Sequence, residues 1–116
     1  MKVFVYGTLM SGFGNNILLN GSKFIGNGVT KNKYTMRSRG IPFVNEYNKT
    51  SNIKGEVYEV SHRTLRSLDA LEGHPDWYYR KEIDIELEDG DDVKADIYFN
   101  EDKASKIVES GNYREI

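Results

Sequence analysis

The sequence predicts an α+β domain. Its sheet closes, or nearly closes, into a small β-barrel of about six or seven mixed strands with two or three short helices. Three observations carry this. Short runs of β-branched and aromatic residues recur along the chain, punctuated by Gly, Asn, Asp and Pro. One stretch, Ser61 to Glu72, combines an N-cap residue, helical spacing of leucines and a following glycine. No repeat, low-complexity tract or Pro/Ser-rich linker interrupts the 116 residues, so residues 1-116 read as one domain.

The chain is organised around Val3-Phe4-Val5-Tyr6-Gly7-Thr8-Leu9. The unbroken apolar run fits a strand covered on both faces. Gly7 ends it and permits a close backbone approach. The loop residues beyond, Ser11, Gly12, Gly14, Asn15 and Asn16, offer free backbone N–H groups suited to an anion or a carbonyl oxygen. Ile17-Leu18-Leu19 reads as one helical turn, broken by Asn20-Gly21. Lys23 to Thr30 is a strand bulged or bent at Gly26 and Gly28, and Tyr34-Thr35-Met36 a further short strand. Arg39 to Val44 is a turn running into an edge segment, because Pro42 cannot donate to a ladder.

Ile53 to Val60 follows as a clear strand, with Gly55 allowing close approach. Ser61 caps a helix that Gly73 terminates and Pro75 prevents from restarting. From Tyr78 to Leu87, Ile83, Ile85 and Leu87 alternate with Glu82, Asp84 and Glu86, the mark of a half-buried strand. Glu88-Asp89-Gly90-Asp91 is a hairpin turn, and Val93 to Phe99 is the returning strand. Ser105 to Ser110 reads as a last short helix and Gly111 to Ile116 as a tail.

Composition excludes several functions. A net charge of -2 with 29% charged residues gives no basic footprint for nucleic acid and no electrostatic membrane anchor. The absence of cysteine removes disulfides, thiolate nucleophiles and thiolate metal sites, and it fits a reducing, cytoplasmic setting. His62 and His74 follow no ligand pattern, so no metal or cofactor is expected. No signal peptide or transmembrane-length segment is legible. Without one, the triplets Asn20-Gly21-Ser22 and Asn48-Lys49-Thr50 are chance matches to a glycosylation site. Gly12-Phe13-Gly14 lacks the third glycine and the crossover helix of a dinucleotide loop.

One residue breaks the local pattern. At about 100° per residue, Leu65 and Leu68 define the apolar stripe of the helix, and Glu72 falls about 20° from Leu65. A carboxylate there is costly to bury, and the negative end of the helix dipole disfavours it further. Both effects raise its pKa and make it a candidate proton acceptor near neutral pH. The alternative is a helix that ends one residue early, with Glu72 turned to solvent. Asp69, about 40° on the other side of Leu65, is read as a partner of Arg80 or of a backbone N–H. Trp77, Tyr78 and Tyr79 are read as core and rim.

Val5-Tyr6-Gly7-Thr8-Leu9, Gly55-Glu56-Val57-Tyr58, and the stretch from Leu68-Asp69-Ala70-Leu71-Glu72 through Gly73-His74-Pro75 to Arg80 together resemble the γ-glutamylcyclotransferase-like family. The closest similarity is to its short AIG2-like and γ-glutamylamine cyclotransferase branch, and it covers nearly the whole chain. The resemblance implies a small barrel flanked by short helices and a cofactor-independent reaction. In it the α-amine of a γ-glutamyl group attacks its own γ-carbonyl, giving 5-oxoproline and a free amine or amino acid. By the same resemblance Glu72 is the catalytic acid/base, and the loop of Tyr6, Gly7, Thr8 and Leu9 binds substrate. Pro42, Phe43 and Tyr78 are expected to wall the pocket, and Arg80 to brace it from behind. Met10-Ser11-Gly12 stands where relatives often carry a basic pair before glycine, and Gly14-Asn15-Asn16 replaces a Pro-Asn-His-like run.

The expected partner is a small γ-glutamyl compound, with no nucleic acid, no membrane and a monomeric chain. The alternative is a non-catalytic module on the same fold that binds a small carboxylate or a protein. Such a module gives no reason to leave an acid on an apolar stripe.

Overall fold

A computed structural model describes all residues, 1–116. The strands are β1 (Lys2–Val5), β2 (Lys23–Arg39), β3 (Ile41–Asn45), β4 (Ser51–Glu59), β5 (Tyr79–Leu87), β6 (Asp92–Phe99) and β7 (Lys106–Ile107). The one α-helix, α1, spans His62–Glu72, and 3₁₀ helices cover Gly14–Leu19 and Tyr113–Glu115. Hydrogen bonding runs β2-β4-β1-β6-β5, and a β2–β5 pairing closes the barrel. Within the barrel only β1 and β6 run parallel, so the sheet is mixed. β3 and β7 both pair with the far half of β2, outside the barrel.

Two hydrophobic clusters result. The barrel interior holds Phe4, Tyr6, Ile53, Val57, Ile85, Ile97 and Phe99 among others. The second cluster lies between the barrel wall and the helices, with Val3, Val5, Leu65, Leu68, Tyr78 and Tyr98. Strand alternation sends Phe4 and Tyr6 inward and Val3 and Val5 toward the helix layer. β1 is therefore buried on both faces, as its apolar run predicts.

Three predicted elements differ. The separate strand at Tyr34–Met36 is part of β2, which runs on through a register shift between Val29 and Lys33. Buried Thr30 repairs the ladder there, its hydroxyl accepting from the Ile53 amide at 2.8 Å. The predicted helix at Ser105–Ser110 is instead strand β7. Six residues are too few to nucleate a stable helix, and the edge of β2 offers Arg37 and Ser38 as partners, with the Val108 amide bonding Met36 O at 2.8 Å. The predicted tail is docked: Asn112 caps the second 3₁₀ turn through the Arg114 amide, and Tyr113 packs against both clusters. No helix is long and apolar enough to cross a membrane.

Gly55 sits where β4 crosses β1 most closely. A Cβ there would overlap the Val5 carbonyl and lie 2.7 Å from Phe4 Cζ. Both neighbours are fixed core atoms, so Gly55→Ala is expected to destabilise the fold by about 1–3 kcal/mol, the usual cost of overpacking. Urea denaturation of the two proteins measures this directly, and an unchanged midpoint would contradict it.

Candidate active site

β1 ends at Val5, and the chain turns away over a cavity of about 210 Å³. Tyr6, Gly7, Thr8 and Leu9 form one wall. The Met10 amide closes the turn onto Gly7 O at 3.0 Å. The amides of Tyr6, Gly7, Thr8 and Leu9 themselves donate to no backbone or side-chain acceptor in the chain. A run of unused donors in a turn is a ready anion or oxyanion cradle. The first 3₁₀ helix braces the turn: Asn15 Nδ2 donates to Thr8 Oγ1 at 2.9 Å, and Asn16 Nδ2 to Leu9 O at 2.8 Å. Gly7 is required by proximity, since a Cβ would meet Pro42 Cγ at 2.5 Å, and Pro42 forms the adjacent wall.

Glu72 faces this turn from α1. The Ser61 hydroxyl caps the helix by accepting from the Thr64 amide at 3.1 Å. The helix then runs to Glu72 and stops at Gly73, whose φ of 64° lets the Gly73 and His74 amides return to Ala70 O and Asp69 O. Of the two expectations for Glu72, the early helix end is not observed. The wheel argument also needs adjustment, because Glu72 is half-buried in the cavity wall rather than packed in the core. Its carboxylate accepts no hydrogen bond and joins no ion pair within the chain. Burial pushes its pKa from 4.5 up to about 7.

The helix end is fixed by charge. Arg80 on β5 grips Asp69 through Nε at 2.7 Å and Nη2 at 3.1 Å, and reaches Asp96 on β6 at 3.0 Å. Tyr98 donates to the same Asp69 carboxylate at 2.7 Å. Burial opposes ionisation of Asp69, but the hydrogen bonds from Arg80 and Tyr98 outweigh it and hold the carboxyl below its usual range. Asp69 lies three residues before Glu72, so this network sets where Glu72 sits. The Asp69–Arg80 pairing matches the sequence expectation.

The remaining walls are aromatic and apolar. Tyr78 lines the cavity and donates to Pro42 O at 2.8 Å. Tyr6 donates to Tyr98 O at 2.6 Å. Burial raises the pKa of the Tyr6, Tyr78 and Tyr98 phenols, and the nearby Glu72 carboxylate adds to all three shifts. The phenols therefore stay neutral, leaving Glu72 as the only carboxylate on the lining. Phe43 does not line the cavity. It is buried behind Tyr78, stacked at 5.8 Å and 9°, because strand alternation turns it away from the face that its neighbour Pro42 presents.

Ile41, Leu71 and Tyr98 also line the cavity, with no such role expected from the sequence; Asn15, expected in the loop beside it, joins the lining, and Trp77, read as rim, stands at its mouth. Ile41 and Leu71 each adjoin an expected site residue, the one signal available in the sequence, and the structure leaves both apolar side chains exposed. Nothing local marks Tyr98.

Residues 3–115 match the family described as "Gamma-glutamyl cyclotransferase, AIG2-like". A Methanocaldococcus jannaschii protein provisionally named a gamma-glutamylcyclotransferase is 50% identical over 97% of this chain and 95% of its own. The gamma-glutamylaminecyclotransferase of Bos taurus is 40% identical over 74% of this chain and 56% of its own. The crystal structure of an AIG2-like protein from Mus musculus superposes with a TM-score of 0.81 at 29% identity, covering 94% of this chain and 86% of that one.

The raised pKa of Glu72 has a stability consequence. Between about 4.5 and about 7 the unfolded chain loses this proton while the folded chain keeps it, so burial of Glu72 costs progressively more as pH rises and levels off above about 7. Glu72→Gln is therefore expected to gain stability relative to the parent between pH 5 and pH 8. Urea midpoints at the two pH values test this, and a gap that does not change with pH would show Glu72 titrating as a solvated carboxylate.

Proposed function

The chain belongs to the AIG2-like γ-glutamyl cyclotransferase family, and from that premise we propose that it converts a γ-glutamyl amine or isopeptide into 5-oxoproline and a free amine, with Glu72 as general acid/base. The observation that carries this reading is the pairing of one unpartnered, half-buried carboxylate with a turn of unused amides across a single small cavity.

The steps follow from that pairing. Glu72 in its ionised form takes a proton from the substrate's α-ammonium and frees the nitrogen lone pair. That nitrogen attacks the γ-carbonyl carbon, and negative charge moves to the carbonyl oxygen. The amides of Gly7, Thr8 and Leu9 stabilise the oxyanion or the α-carboxylate. Collapse breaks the bond from the γ-carbon to the leaving nitrogen, which receives a proton from Glu72. The α-ammonium begins with three hydrogens and the lactam nitrogen keeps one. The other two end on the released amine, which departs as an ammonium ion, so the reaction balances without a co-reactant.

Ring closure is unimolecular, and its barrier falls chiefly through holding the chain in a folded conformation. A volume of about 210 Å³ lies below the roughly 300–1,000 Å³ of sites for drug-sized ligands. It suits a γ-glutamyl head enclosed between Tyr78, Pro42 and the turn, with the leaving group passing the exposed rim of Ile41, Leu71 and Trp77. The pKa of about 7 lets Glu72 both accept and return a proton near neutrality.

The test is release of 5-oxoproline from γ-glutamyl-ε-lysine, simple γ-glutamyl amines, γ-glutamyl dipeptides and glutathione. At least one compound is expected to react, and Glu72→Gln is expected to lower its rate by roughly 10²-fold or more, the lower end for a general base. Parental turnover in the variant would remove Glu72 from the mechanism. A second prediction concerns pH: kcat/KM should rise with an acid limb near pH 7, as Glu72 ionises. A limb near 4.5 would mean that the working carboxylate is not desolvated.

A further inference from the structure

Glu56 is a second interior acid, 5% exposed, and it lies outside the cavity lining. Unlike Glu72 it is saturated with donors. The Ser11 amide and hydroxyl each donate to it at 2.9 Å, one to each carboxylate oxygen. Tyr58 donates at 2.9 Å, and Arg114 Nη2 approaches at 3.3 Å. The same Arg114 nitrogen donates to Ser11 O at 2.7 Å and approaches Ser11 Oγ at 3.4 Å. Ser11 follows the cavity turn by two residues. Tyr58 also accepts from Asn16 Nδ2 at 3.3 Å, and Asn16 holds Leu9 O. A continuous hydrogen-bonded path therefore runs from a buried carboxylate to the backbone of the cavity wall.

The segment bearing Arg114 reaches the adjacent wall as well. Tyr113 donates to Gly40 O at 3.2 Å, next to the cavity residues Ile41 and Pro42. Its ring lies 5.4 Å from Phe13, and the Arg114 guanidinium lies 5.2 Å from the same ring. Residues 113–115 thus strap the turn after β1 to the β2–β3 hairpin.

We propose that Glu56, Arg114 and Ser11 are positioning residues, and that the 113–115 strap holds the amide cradle of Gly7 to Leu9 in its working shape. In its kinetic part this rests on the cyclotransferase reading above. None of the three touches the cavity; they act through Leu9 and the turn. Glu56→Gln keeps the volume but replaces one acceptor oxygen with an NH₂ that faces a donor. Arg114→Ala removes the strap's charge, and Arg114→Lys restores the charge without the planar fork.

Two measurements test this on the full chain. Hydrogen exchange of the bonded turn amides of Met10, Ser11, Phe13 and Asn16 is expected to accelerate roughly tenfold or more in Glu56→Gln and Arg114→Ala, the scale of one lost charge-assisted hydrogen bond. Exchange in β5 and β6 should stay at the parental rate. In 5-oxoproline release, kcat/KM should fall by a similar factor, mainly through KM, with the acid limb of Glu72 unmoved and partial recovery in Arg114→Lys. Unchanged exchange in the turn overturns the proposal. So does acceleration spread evenly over the barrel, which would signify lost stability alone, and so does local acceleration with parental kinetics. If the parent releases no 5-oxoproline, the catalytic reading fails separately, while exchange still decides whether the strap orders the turn.

Discussion

Burial of β1 on both faces is the constraint from which the rest of the molecule follows. A strand packed inward by Phe4 and Tyr6 and outward by Val3 and Val5 must sit between two other strands, with a second layer over it. β4 and β6 take the flanks, and α1 with the first 3₁₀ helix supplies the layer. A one-residue slip of such a strand would send Phe4 and Tyr6 into the space packed around Val3 and Val5 and the reverse, so packing on both faces fixes its register. The turn that leaves it is therefore launched from a fixed point, and a fixed launch point is what an amide cradle needs. Gly55 allows β4 to approach closely enough for this arrangement.

Three of the carboxylates on or beside the cavity are treated in three ways. Asp69 is ionised and gripped by Arg80 and Tyr98, and its work is to place a helix end. Glu56 is enclosed by donors from Ser11, Tyr58 and Arg114, and its partners belong to the turn that walls the cavity. Glu72 has no partner at all, and burial alone raises its pKa. Interior acids are normally neutralised by such partners, because an unpaired one is costly. The exception, Glu72, is left unpaired on the cavity lining beside the amides of the turn, while the two satisfied acids bond elements next to it.

Local patterns were read well where a segment's own neighbours decide its structure. The Ser61 cap, the Gly73 stop and the alternation of Ile83, Ile85 and Leu87 are each fixed within a few residues, and each appears as expected. Segments decided by distant partners are not legible locally. Lys106–Ile107 is a strand only because the edge of β2 is free to pair with it. Residues 113–115 are ordered only because Phe13, Gly40 and Glu56 lie beside them. Thr30 joins two apparent strands into one by bonding to Ile53, 23 residues away.

The sequence by itself determined the fold class, the buried opening strand, the capped helix and, through helical spacing, which carboxylate is held against its preferences. These depend on the periodicity of side chains along a local axis, which any reader of the chain can compute. Tertiary structure alone decided that Glu72 faces a cavity rather than the core, that Phe43 lies behind Tyr78, that Tyr98 joins the walls, and that Glu56 and Arg114 meet. The physical reason is that a cavity is a property of surfaces from several strands and a helix at once. Its lining is set by barrel closure and by the angle at which α1 packs, and neither quantity is encoded in any one stretch of chain.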